Sequence, residues 1–160
     1  MNKNYLFCIL GFFLVLVLWG CVDDDGKQSQ PVVVDHVAGI DEDGNGVWDH
    51  VDVVISKKNY DKTTKQMLVQ YIKVEQDFLL SGGDKKLALK SSLKMDRAMA
   101  CIRSKYEFDK GWKMVEEFQS VLLNTEERIR AYFIANALMS GHVFDLIPED
   151  EYASMCKNKN

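Results

Sequence analysis

The chain has three histidines and four cysteines in 160 residues, and neither type is spaced for metal or redox chemistry. There is no C-x-x-C and no pair of histidines three to five residues apart, so the sequence offers no zinc site. H-E-x-x-H, G-x-S-x-G and the G-x-x-x-x-G-K-[ST] phosphate loop are also missing, which removes the usual sequence grounds for a metalloprotease, a serine hydrolase or a nucleotide-binding enzyme. No internal repeat is present. The one long apolar run, from Tyr5 through Trp19, has about 15 residues, short of the roughly 20 that span a bilayer as a stable helix.

The chemistry that is present sits in one stretch. Residues 41–52 read Asp41-Glu42-Asp43-Gly44-Asn45-Gly46-Val47-Trp48-Asp49-His50-Val51-Asp52, with oxygen-bearing side chains at positions 1, 3, 5, 9 and 12. Ca²⁺ takes six to eight oxygens, and a 12-residue loop supplies them from those positions and from the carbonyl at position 7. The ligand set read from this spacing is Asp41, Asp43, Asn45, Asp49 and Asp52 with the carbonyl of Val47, and the cofactor it implies is Ca²⁺. Gly46 stands at position 6, where the loop must turn with φ > 0. Asp52 replaces the longer Glu usual at position 12, which points to the modest affinity of extracellular modules. Mg²⁺ fits less well, because it demands a tight octahedron and keeps its waters.

Asp, Asn and Gly also make ordinary solvated turns, and charge distinguishes the two readings. From Val22 to Asp52 there are nine acids against the single base Lys27, a net of -8, whereas from Val53 onward 15 acids face 18 bases. Four loop carboxylates gathered without a cation repel one another at short range. The loop resembles those of EF-hands, dockerins and thrombospondin type 3 repeats. The segment before it, Val32-Val33-Val34-Asp35-His36-Val37-Ala38-Gly39, is extended in character and not helical, so the resemblance favours dockerins and thrombospondin repeats over a full EF-hand. A dockerin has two such loops; here there is one.

The first residues form a targeting segment. Lys3 precedes an apolar run of signal-peptide length, and Leu18-Trp19-Gly20-Cys21 resembles the cleavage box of bacterial lipoproteins, with Trp19 bulkier than that family's usual residue. The resemblance implies a signal peptide over residues 1–20 and an acylated Cys21 at the mature N-terminus. It also implies anchorage in the outer membrane of a cell envelope, facing the periplasm, in preference to the inner membrane, since Val22 and not Asp follows the cysteine. Each buried methylene of such a chain contributes about 0.8 kcal/mol to anchorage. A plain secreted protein and an uncleaved anchor are the alternatives. In that oxidising compartment the two remaining cysteines, Cys101 and Cys156, form either a disulfide or a pair of buried thiols.

The mature chain is long enough for one domain. Residues 21–31 read as the lipidated cysteine and a disordered acidic tether, residues 32–56 as the calcium-loop segment, and residues 57–160 as a helical domain. The fold class is all-α: a small bundle of four to five helices preceded by a single calcium-binding loop. Residues 48–56 suit a short exit helix or, through Val51, Val53, Val54 and Ile55, a strand. Thr63-Thr64-Lys65-Gln66 has capping-box form and opens a helix to about residue 80. Asp84 caps a second over 85–104, with Leu87, Ala88, Met95, Ala98, Met99 and Ile102 on one face. A third covers 110–123. Asn124-Thr125-Glu126-Glu127 caps a fourth over 125–139, apolar on nearly every side and therefore expected at the centre. Pro148 opens a short last helix.

Within the bundle, Glu75 falls in an apolar stripe with Tyr71, Phe78, Leu68 and Leu79, and Asn136 falls among Ile129, Tyr132 and Phe133. A buried carboxylate needs partners or a raised pKa, and a polar network of Glu75 with Asn136 or Arg128 is the expected arrangement. A hydrolase using Glu75 is the weakest functional reading, because no nucleophile, second carboxylate or histidine stands at a useful spacing. His36, His50 and His142 read as surface or turn residues. Lys85, Lys86, Lys90 and Lys94 make a cationic helix face, either solvated or in contact with anionic lipid or an acidic partner. The compartment argues against nucleic acid. The sequence thus leads first to a non-enzymatic, lipid-anchored envelope protein that binds Ca²⁺ structurally and presents a helical domain to a protein partner. An immunity-type lipoprotein that neutralises an envelope-targeting toxin is the alternative. As a whole, the chain resembles bacterial lipoproteins that place a D-x-D-G-N-G-type loop before a helical region.

Overall fold

The computed structural model describes residues 36–156. The signal segment, Cys21, the tether and residues 32–35 lie outside the described residues. Five α-helices follow in order, α1 (Asp49–Lys57), α2 (Lys62–Leu79), α3 (Lys85–Arg103), α4 (Phe108–Leu122) and α5 (Glu126–Leu138), and a 3₁₀ segment, Glu149–Cys156, closes the chain. Among the described residues there is no strand. The β-branched run Val51, Val53, Val54 and Ile55 is helical, with Val51 and Ile55, one turn apart, facing the core.

Helix α2 is the centre of the bundle. It buries Met67, Leu68, Tyr71, Ile72, Phe78 and Leu79 and packs against α3, α4 and α5. Full burial of side chains such as Leu68, Ile72 and Phe78 contributes about 1.5–3 kcal/mol each. The helix starts at Asp61, whose carboxylate accepts from Thr64 N at 2.9 Å, and not at a Thr63 capping box. Thr64 is fully buried, and its hydroxyl is 2.7 Å from the Tyr106 hydroxyl, 3.1 Å from Asp61 Oδ1 and 2.9 Å from the Lys105 ammonium that donates to it. Lys105, 2.6 Å away, and the cap bond hold the Asp61 carboxyl down at about 2.

Helix α5 is not central, contrary to its composition. Its contact stripe is Arg128, Ala131 and Ala135, while Phe133 is 66% and Ile129 42% exposed. Small residues at i and i+4 let α5 approach the bundle closely, which turns its large apolar side chains outward. Asp84 caps α3 as expected, accepting from the amides of Lys86 and Leu87, whereas the cap of α5 falls one residue after the expected Asn124, at Thr125, which accepts from the amide of Arg128. On α3, Ala88, Ala98 and Ile102 are buried as expected, but Leu87 is half exposed. Pro148 opens a 3₁₀ segment in place of an α-helix. Cys101 of α3 is bonded to Cys156 of that segment, with a Cα–Cα distance of 4.8 Å and a sequence separation of 55. Closing a loop of this length removes unfolded-state entropy worth about 4 kcal/mol on the chain-entropy model.

The segment carrying the acidic loop belongs to the same core. Val37, Val47, Trp48, Val51 and Ile55 pack in one cluster with Leu68, Ile72, Phe118 and Leu122. Gly39 is required by this packing, because a Cβ there would fall 2.4 Å from the Trp48 ring.

Candidate metal centre at the acidic loop

Short local bonds shape the loop. Gly44 and Gly46 take φ of 68° and 86°, and the position-6 glycine has the left-handed turn its place in the loop demands. Asp41 Oδ2 accepts from Gly46 N at 2.8 Å, Asp43 Oδ1 from Asn45 N at 3.1 Å and Asp49 Oδ1 from Glu42 N at 3.1 Å. The backbone amide of Asn45 is the main reason the Asp43 carboxyl lies below its ordinary range. Carboxylate oxygens of Asp41, Asp43 and Asp49 lie within 4.8 Å of one another. Two ligands on opposite sides of a Ca²⁺ ion, each about 2.4 Å away, are about 4.8 Å apart, so these three oxygens fit inside a single coordination shell. Asp41 Oδ1 is buried and has no hydrogen-bond partner.

The other expected ligands are placed less directly. Asn45 turns its amide nitrogen to Asp43 Oδ2 at 3.0 Å and to Asp52 Oδ2 at 2.8 Å, while its oxygen accepts from Val47 N at 2.7 Å. Asp52, in the first turn of α1, therefore joins the cluster through Asn45. Val47 is a core residue with 1% exposure.

Three side chains that the spacing does not reveal hold this loop on the bundle. Gln76 of α2 donates from Nε2 to the Gly46 carbonyl at 3.0 Å and accepts from Trp48 N at 3.1 Å through Oε1. Lys73, one turn earlier, donates to the Asn45 carbonyl, and a Cβ at Gly46 would lie 3.0 Å from its ammonium. Arg128 of α5 lies over the Trp48 ring at 4.5 Å, donates to the Val37 carbonyl at 2.9 Å and reaches Asn124 Oδ1 at 2.6 Å. His50 is a half-buried residue of α1, not a surface turn. It stacks on Trp48 and lies 3.2 Å from Arg128; burial first, then the guanidinium charge, lowers its pKa.

The expected network around Glu75 does not form. Glu75 is fully buried, and its partner is Gln119 of α4, which donates to Oε1 at 2.7 Å. Asn136 donates instead to the Tyr132 carbonyl one turn back at 2.9 Å, and Arg128 serves the loop. Glu75 Oε2 has no partner. Burial raises the carboxyl to about 7, opposed by the Gln119 bond. Because the group is sealed, its chemistry is confined to holding a proton between α2 and α4.

Comparison with known protein families, curated proteins and solved structures finds no match to the chain.

Glu75 gives the bundle a defined pH response. Folded, the carboxyl holds its proton up to about 7, against an ordinary 4.5, so between these values the folded state binds more protons than the unfolded one. Stability therefore falls as pH rises from about 4.5 to about 7 and then levels. Glu75→Gln should remove this slope, leaving stability at pH 4 little changed and raising it at pH 8 by up to about 3 kcal/mol. Urea unfolding of both proteins at the two pH values checks this; an unchanged slope in the variant contradicts it.

Proposed function

We propose that this is a non-enzymatic, lipid-anchored protein of the bacterial cell envelope, in which a structural Ca²⁺ held by the 41–52 loop fixes the entrance to a helical domain that binds another protein. The observation that carries the calcium reading is Asp41 Oδ1, buried without a donor among carboxylates spaced for one coordination shell. An orphaned carboxylate oxygen costs free energy, and a divalent cation supplies the missing partner. Asp41, Asp43 and Asp49 would hold it directly, joined by Asp52, the Asn45 side-chain oxygen and the Val47 carbonyl. In this role the ion neutralises the cluster and cross-links the loop to the first turn of α1. The role is structural, since the loop is one piece with the core and has no second loop to work against.

The anchor reading rests on Leu18-Trp19-Gly20-Cys21 and on the apolar run before it. Acylation at Cys21 would leave the acidic tether that follows it, to residue 31, as the connection between membrane and calcium-loop segment.

Two measurements test these parts. Calorimetric titration of Ca²⁺ into the chain lacking residues 1–21 should show one site. Calcium at 100 times Kd should stabilise the fold by about 2.7 kcal/mol. Asp41→Ala should abolish both effects; absence of heat and of stabilisation in the parent chain would falsify the calcium site. Growth of an expressing bacterium with an alkyne-tagged fatty acid should label the full chain and not Cys21→Ser, and label retained by the variant would refute the anchor.

A further inference from the structure

A groove of about 970 Å³ runs along α2, away from the Glu75–Gln119 contact. Its lining includes Lys62, Lys65 and Lys73 from α2 and Lys94 from α3, with Asp77 the single acid. Lys62 to Lys73 spans 11 residues of helix, about 16 Å at 1.5 Å per residue. Between the lysines the lining mixes polar Thr63, Gln66 and Gln70 with apolar Met67, which is buried, and Val69 and Val74, which are half-buried. Lys65 and Lys73 are steadied by the carbonyls of Ser56 and Asn45, which use their donors without neutralising their charge. Lys94 is 3.7 Å from Asp77, with both side chains about half exposed, so this pair is screened by solvent. The groove is thus net positive on a chain whose formal charge is -4.

We infer that this groove is the docking site for an acidic, amphipathic segment of a protein partner. Carboxylates spread over about 16 Å meet the lysines, and apolar side chains between them enter the floor at Met67, Val69 and Val74. The inference deepens the interaction part of the proposed function and rests on it, but is independent of calcium. An anionic membrane surface fits less well. Insertion into a bilayer needs apolar side chains that project outward beside the lysines, whereas these lie recessed. The lysines at the start of α3, Lys85, Lys86 and Lys90, are outside the groove lining and have no such floor.

The probe is a fluorescein-labelled synthetic 18-residue peptide with leucines at i, i+3, i+4 and i+7 and glutamates on the opposite face. Anisotropy with the chain lacking residues 1–21 should show saturable binding that weakens with salt. Lys62→Glu with Lys94→Glu should weaken it at least tenfold. Lys85→Glu with Lys86→Glu makes the same change in net charge outside the groove and should alter binding less than twofold. All four positions are exposed, and circular dichroism checks that both variants fold. Equal weakening by the two pairs, equal binding of a scrambled peptide, no binding at all, or tighter groove-dependent binding to phosphatidylglycerol vesicles would each overturn the inference. The calcium titration is unaffected by any of these results, so failure of the groove is distinguishable from failure of the loop.

Discussion

Everything at the N-terminal end of the described chain depends on one seat: the indole of Trp48 held between the bundle and the Arg128 guanidinium, with its backbone amide bonded to Gln76. A glycine-rich acidic loop has almost no apolar surface with which to pay the entropy of becoming ordered. Here the apolar contribution comes from residues just outside the ligand positions. Val37 precedes the loop, Val47 and Trp48 sit within it, and Val51 and Ile55 follow on α1. Gln76 fixes the backbone at the turn, and Arg128 satisfies the carbonyls of Val37 and Ala38. The loop is therefore ordered by the same core that orders the helices.

This arrangement concentrates charge. Gathering Asp41, Asp43, Asp49 and Asp52 near one point works against folding unless amide donors or a cation offset the repulsion. Backbone amides and the Asn45 side chain meet five of these carboxylate oxygens, and Asp41 Oδ1 is the buried one left without a donor. Lys73 donates to the Asn45 carbonyl of the loop and also lines the cationic groove along α2. Acidic loop and basic groove thus share an edge at Lys73. Glu75 is a separate matter: a sealed carboxyl whose cost is lowered by keeping its proton.

Much of the fold was legible in the sequence, because helix ends and helical periodicity are local properties. Asp84 caps where its side chain reaches the next amides, the α5 cap shifts by only one residue to Thr125, and the apolar spacing of α3 marks Ala88, Ala98 and Ile102 as buried. The failures are tertiary. The composition of α5 pointed to the centre, but Ala131 and Ala135 set its packing face and left Phe133 outside. Asp61, two residues before Thr63, took the cap, held there by Thr64 and by Lys105 from 44 residues away. The loop geometry was legible at Asp41, Asp43, Gly46 and Asp49, since their spacing is fixed within a few residues. Gln76, Lys73 and Arg128 were not, because nothing local marks a side chain that will meet the loop from 28 or more residues away. The partners imagined for Glu75 failed for the same reason: Asn136 had a nearer carbonyl, and Arg128 was needed elsewhere.

The central claim is that the acidic loop is a folded part of the helical core and not an appendage to it. Hydrogen exchange at the Trp48 amide tests this most directly, since that N–H is bonded to the Gln76 side chain at 3.1 Å. In calcium-free buffer it should exchange as slowly as the buried amides of α2, because both open only when the core opens. Exchange at the rate of an unstructured peptide, with α2 still protected, would contradict the claim.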